Sequence, residues 1–258
     1  MAGIYISEND LGPVLRLKDF LGADRTRHLR PGQHPLGLGF SALRRYLAGR
    51  ELVHEERQGL GQLQMIADVI DEHEQTWRPN ANKFRADLLS ASKCKAMLFE
   101  IQVILVAIQG RVGEVQWPIY LEGERDIRTK SPEMLVECKL IQTRTSGGLG
   151  YVFKKLQKAN KQARPYNVPF VVAVGFEDEF ERGAAFEVKN FLQENERWLR
   201  THRLVSGILV LTSVQPRGDI VTSPLKIAGF EVSRGVVTQA LKRSGENPMP
   251  SGFTFKPV

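Results

Sequence analysis

At 258 residues, 42% hydrophobic and 25% charged, the chain has the make-up of a globular protein able to bury a sizeable core. No run is long and apolar enough to span a bilayer, and no basic region followed by an apolar stretch opens the sequence, so a soluble, cytoplasmic protein is expected. Lys and Arg number 36 against 29 Asp and Glu, and the net charge of +7 favours a polyanionic partner.

The first eighty residues carry the weakest patterns. Ile4-Tyr5-Ile6 reads as a short strand, and Val14 to Gly22 as a strand or a helical turn. Arg25 to Gly39, rich in Gly, Pro, Arg and His, reads as a loop. Within it Gly37-Leu38-Gly39 lacks the Gly-Lys-Ser/Thr ending of a phosphate-binding loop and is taken as a turn. Helices are expected over Ser41–Ala48, with Ser41 as cap, and over Gln58–Trp77, where Leu60, Leu63, Ile66, Ala67 and Ile70 recur at helical spacing. Asp68, Asp71, Glu72 and Glu74 form the wet side of the second helix rather than a metal site. Arg78-Pro79-Asn80 stops it, which divides the chain into a mainly helical accessory region, 1–80, and a larger domain, 81–258.

From Asn80 or Asn82 a long helix is expected to run to about Gly110. It is apolar nearly all round from Ala96 to Ile108, so it should be packed on a sheet. Glu100 interrupts that run, and a carboxylate so placed requires a cation, from a side chain or a metal. Val115–Leu121 reads as a first strand, with Pro118 pointing to an edge or a bulge. Asp126 falls on a second strand, and Ser131-Pro132 forms the turn into a third. In that third strand, Met134 to Ile141, alternation sends Leu135, Glu137, Lys139 and Ile141 to one face and Met134, Val136, Cys138 and Leu140 to the other. One face is apolar; the other carries an acid and an amine.

A helix over Tyr151–Arg164 follows, with Lys154, Lys158 and Lys161 on one side and Lys155 adjacent. With no acids interspersed, the stripe suits phosphate contact, although a solvated face is the plain alternative. Val168–Phe176 has the continuous apolar character of a buried strand, and Ser206–Val214 is similar, after a helix over Phe186–His202. Lys226–Val232 reads as a last short strand and the tail from Ser244 as irregular. Cys94 and Cys138 show neither CxxC spacing nor a neighbouring histidine, and read as reduced core thiols.

Asp126, the step to Glu137, one intervening residue and then Lys139 resemble the PD-(D/E)xK nuclease signature, with Arg125 where the name-giving proline would stand. The order helix, three strands, helix, strand from residue 81 onward is similar to the αβββαβ core of that restriction-endonuclease-like fold, an α/β mixed sheet flanked by helices. The resemblance implies that Asp126 and Glu137 bind Mg²⁺ or Mn²⁺, that Lys139 orients the attacking water, and that Glu100 on the first core helix supports the metal. It also implies that Gln142 and Gln157 could face the site, a surface amide being an equal alternative for each. The implied activity is metal-dependent phosphodiester hydrolysis in nucleic acid, DNA favoured over RNA. The protein would then be a nuclease subunit of a restriction, repair or phage-defence assembly, with a helicase or ATPase as partner, since the chain has no Walker loop of its own. A noncatalytic nucleic-acid-binding or scaffolding subunit that keeps the fold is the competing expectation.

Overall fold

The computed structural model describes residues 11–109, 115–118, 126–130, 133–141, 168–176, 207–212, 226–231 and 255–257, with single positions 154, 157, 158, 161 and 193. The chain divides into two compact units, Met1–Ile101 with Gln215–Ser223 and Gln102–Val214 with Pro224–Val258.

The first unit is helical: α1 Gly12–Leu21, α2 Ala23–Arg27, α3 Gly37–Leu47, α4 His54–Glu72, α5 Glu74–Trp77, a 3-10 turn Arg78–Asn80, α6 Ala81–Leu89, and the start of α7, Ala91–Gln109. α1 takes the helical one of the two readings of Val14 to Gly22 and extends it to a full helix. Pro13 lies in its first turn, where a missing N–H costs nothing, and Val14, Leu17 and Leu21 bury one side at helical spacing. The expected loop Arg25–Gly39 contains the end of α2 and the first turn of α3, and Ser41 lies inside α3 rather than capping it. Glycines mislead here because they mark close approach rather than flexibility. A Cβ on Gly39 would stand 2.7 Å from Leu63 Cβ and 2.9 Å from the Gly59 carbonyl oxygen, and one on Gly59 would stand 2.7 Å from Leu38 Cγ. The crossing of α3 and α4 therefore requires bare backbone on both sides.

All five apolar positions assigned to α4 from periodicity are buried. Its acid Asp71 takes a two-pronged bond from Arg16 of α1, at 2.9 and 2.7 Å, and Glu74, which opens α5, lies 3.6 Å from Arg78. The N-terminus of α4 is closed by Glu56, whose carboxylate accepts from the Val53 N–H at 3.1 Å and from Arg45 at 2.8 Å. Trp77 stacks on Phe84 with centroids 4.8 Å apart, and Phe20 lies 4.8 Å from Trp77, which ties α1, α5 and α6 together. The helix expected to run unbroken to Gly110 is instead two. Ser90 adopts an extended conformation between α6 and α7, and Lys93 closes the corner with a 2.6 Å bond to the buried Asp87.

The second unit is built on a mixed sheet: β1 Val115–Gln116, β2 Ile127–Lys130, β3 Glu133–Ile141, β4 Phe170–Phe176, β5 Gly207–Thr212, β6 Lys226–Glu231 and β7 Phe255–Pro257, paired in that order. β1, β2 and β3 are antiparallel; β3, β4 and β5 are parallel; β6 runs antiparallel to β5, and β7 parallel to β6. Parallel neighbours need a crossover, and positions 154, 157, 158 and 161, between β3 and β4, are helical, as is 193 between β4 and β5. The expected first strand is shorter than its apolar run, since Trp117 and Pro118 leave the ladder. The tail expected to be irregular contributes β7, whose Pro257 is tolerated beside Glu231 because β7 is terminal in the strand order. Phe170 to Val174 are buried, as a strand paired on both edges requires. Ile4–Ile6, the Ser131-Pro132 turn and most of the Phe186–His202 helix lie outside the described residues.

Candidate functional site at the β2–β3 ladder

The eleven-residue step from Asp126 to Glu137 acquires a structural meaning in the hairpin register. Ile127 pairs with Val136, Arg128 with Leu135, Thr129 with Met134 and Lys130 with Glu133. Extending the ladder by one rung sets Asp126 against Glu137, on the sheet face that also carries Leu135 and Lys139. Asp126 stands one residue before β2 begins, rather than within it. Its carboxylate takes the place of a backbone partner: Oδ2 accepts the Cys138 N–H at 2.6 Å. That contact was not legible as a residue pattern, but its signal was there. A two-residue connection at Ser131-Pro132 makes 126 and 137 mirror positions.

Glu137 is 4% exposed and forms an ion pair with Lys139, two residues along the same face, through Oε1 and Nζ. Alternation brings the two together, as the sequence pattern indicates. On the other side of β3 the rungs pair Glu137 with Val172 and Lys139 with Val174, so an apolar strand borders the charges. Water is largely kept from the Glu137 carboxylate, which strengthens its interaction with the ammonium and makes loss of either partner costly. Arg128, on the same face, bonds Glu133 at 2.7 Å toward the hairpin end.

Glu100 belongs to the first unit; it is half-buried on α7 and engaged with partners. Among the described residues, no three His, Cys, Asp or Glu side chains gather as a metal-holding group. What the ladder brings together is a pair of carboxylates and an amine. Lys154, Lys158 and Lys161 are exposed on helical positions and Gln157 is half-buried there. Lys155 and Gln142 lie outside the described residues. Both cysteines are free thiols; Cys94 is fully buried, and burial pushes its thiol up to about 12, which leaves it protonated and inert at neutral pH.

The donor chemistry of the pair suits a hard cation. Mg²⁺ is commonly held by one or two protein carboxylates with water and substrate phosphate completing its shell, and carboxylates are the donors this ladder supplies. The Lys139 ammonium is what any such ion would have to share Glu137 with. No family model matches the sequence, and comparison with curated proteins and with solved structures likewise yields no match. Among the described residues no helix is long and apolar enough to cross a membrane.

Proposed function

We propose that the protein is a metal-dependent nuclease of the PD-(D/E)xK type, acting on nucleic acid, with DNA as the favoured substrate. The observation that supports this most is the ladder geometry: Asp126 opposite Glu137, with Lys139 paired to Glu137 on the same face. Asp126 and Glu137 would hold Mg²⁺ or Mn²⁺. When bound, such an ion polarises a phosphoryl group and lowers the pKa of water. Lys139 keeps its ammonium against Glu137 Oε1, where it can orient a water for attack and stabilise charge on the phosphoryl oxygens. The apolar flank of Val172 and Val174 limits water around both. The exposed lysines at 154, 158 and 161 would hold the phosphate backbone, and a helicase or ATPase partner would supply any ATP-driven step.

The test is incubation of the purified protein with plasmid and oligonucleotides in Mg²⁺ or Mn²⁺, beside the Glu137→Gln, Lys139→Ala double variant. Cleavage by the wild type alone is expected; cleavage that survives the double substitution would falsify the assignment. A second reading has its own observation. Asp126 is satisfied by the Cys138 N–H, and Glu137 by Lys139, so the set can stand as a structural ladder cap in a noncatalytic nucleic-acid-binding or scaffolding subunit. That role predicts salt-sensitive binding indifferent to both metal and Glu137.

A further inference from the structure

Acids are unevenly distributed along the first unit. Between Asp24 and Glu51 there is none, while Arg25, Arg27, Arg30, Arg44, Arg45 and Arg50 all fall in that interval. The last three lie on or just beyond α3; Arg44 and Arg45 are half-buried and work internally, Arg44 on the Thr26 carbonyl at 3.0 Å and Arg45 on Glu56. The first three are different. Arg25, Arg27 and Arg30 are exposed, with His28 exposed among them, on α2 and the turn that follows. No hydrogen bond or ion pair of the Arg25 or Arg30 side chain occurs among the described residues. Arg27 has only Asp24, at 3.4 Å with both side chains mostly in water, which is worth little.

The backbone beneath these arginines is braced. Thr26 and Leu29 are buried, anchoring one side and turning 25, 27, 28 and 30 outward. The α2 end is continued by the His28 and Leu29 N–H bonds to Arg25 and Thr26, and held from α3 by Arg44. Past it, the Gln33 and His34 N–H groups both bond the Arg30 carbonyl at 3.2 and 3.1 Å, and the Leu36 N–H bonds the buried His34 ring. Gly37 permits the closure, because a Cβ there would stand 2.2 Å from the Arg30 carbonyl oxygen. A segment that composition reads as a loop is therefore a braced platform presenting three exposed guanidinium groups, with Asp24 beside Arg27 as the one acid paired to them among the described residues.

We propose that this platform, Arg25, Arg27 and Arg30, is a second nucleic-acid contact that grips the phosphate backbone from the helical unit without metal. Guanidinium forks match phosphate oxygens in a bidentate way that ammonium groups do not, and a braced backbone leaves only the side chains to be ordered on binding. Nucleic acid fits better than a membrane surface, because the exposed large apolar side chains among the described residues are Leu47 and Val53, neither of them on the platform. The proposal stands apart from catalysis, since binding needs neither Glu137 nor a metal.

The measurement is fluorescence anisotropy of a labelled DNA duplex with the full chain, in EDTA, over a series of salt concentrations. Replacing Arg25, Arg27 and Arg30 together by Ala is expected to weaken binding about tenfold or more and to flatten the log Kd against log salt slope by roughly 2 to 3. The triple Lys variant, which keeps the charge, retains the slope. Unchanged affinity and slope in the Ala variant would overturn the proposal. So would an equal flattening of the salt slope in the Lys variant, or a contact with phosphatidylserine vesicles that the Ala variant loses while duplex binding is unaltered.

Discussion

Glu137 and Lys139 show how a buried charge pair differs from a surface one. Side-chain exposure is 5% for the glutamate and 15% for the lysine, so neither is well solvated and each depends on the other. Removing one partner strands the second in an apolar setting, at about 3 to 5 kcal/mol; replacing both by apolar residues of similar size removes both desolvation terms and is close to neutral. Glu137→Leu alone should therefore lower the urea midpoint markedly, while Glu137→Leu with Lys139→Leu should recover most of it. Equal destabilisation in the single and double variants would show that the ion pair is not what keeps the glutamate inside. The comparison also bears on function, because a pair that is dispensable for stability has to be explained by chemistry. Asp126 is held differently: its Oδ2 accepts the Cys138 backbone N–H across the ladder.

At the scale of elements, the α3–α4 crossing decides a sign that helix propensity alone would get wrong. Gly→Ala inside a helix gains about 1 kcal/mol from propensity. At Gly39 the new methyl would meet Leu63 Cβ and the Gly59 carbonyl at under 3.0 Å, and backbone cannot rotate away. Overpacking of that type costs about 1 to 3 kcal/mol, so Gly39→Ala is expected to lower the melting temperature despite the better helix former. A raised melting temperature would mean the helices separate at little cost. The same glycines explain why so little of the first unit was legible. Gly and Pro are read as breakers, yet Pro13 sits where a helix start accepts it and Gly37, Gly39 and Gly59 serve contacts made by distant residues. Sequence periodicity carries no information on which partner comes close. In the second unit β3 was legible from alternation and β4 from its continuous apolar run, because a strand's burial is written in its own residues. β7 was not, since Phe255-Lys256-Pro257 pairs only at an edge, where neither pattern is demanded.

For the whole molecule the deciding question is whether Asp126 and Glu137 take a cation, and stability answers it without a substrate. A ligand that binds only the folded chain adds RT ln(1 + [L]/Kd), about 2.7 kcal/mol at a hundred times Kd. For a domain of the sheet unit's size each kcal/mol moves the melting temperature by about 2 to 4 °C. Titration with Mn²⁺ should therefore raise the sheet unit's transition by several degrees in the wild type and leave Asp126→Asn and Glu137→Gln unmoved. Lys139→Met should shift the dependence to lower Mn²⁺, because the ammonium competes with any cation for Glu137 Oε1. A helix-unit transition that ignores Mn²⁺ in all four proteins would serve as the internal reference, provided the two units melt separately. If the wild type shows no shift at saturating Mn²⁺, the carboxylates are a ladder cap, and the basic character of the chain has to be explained by binding alone.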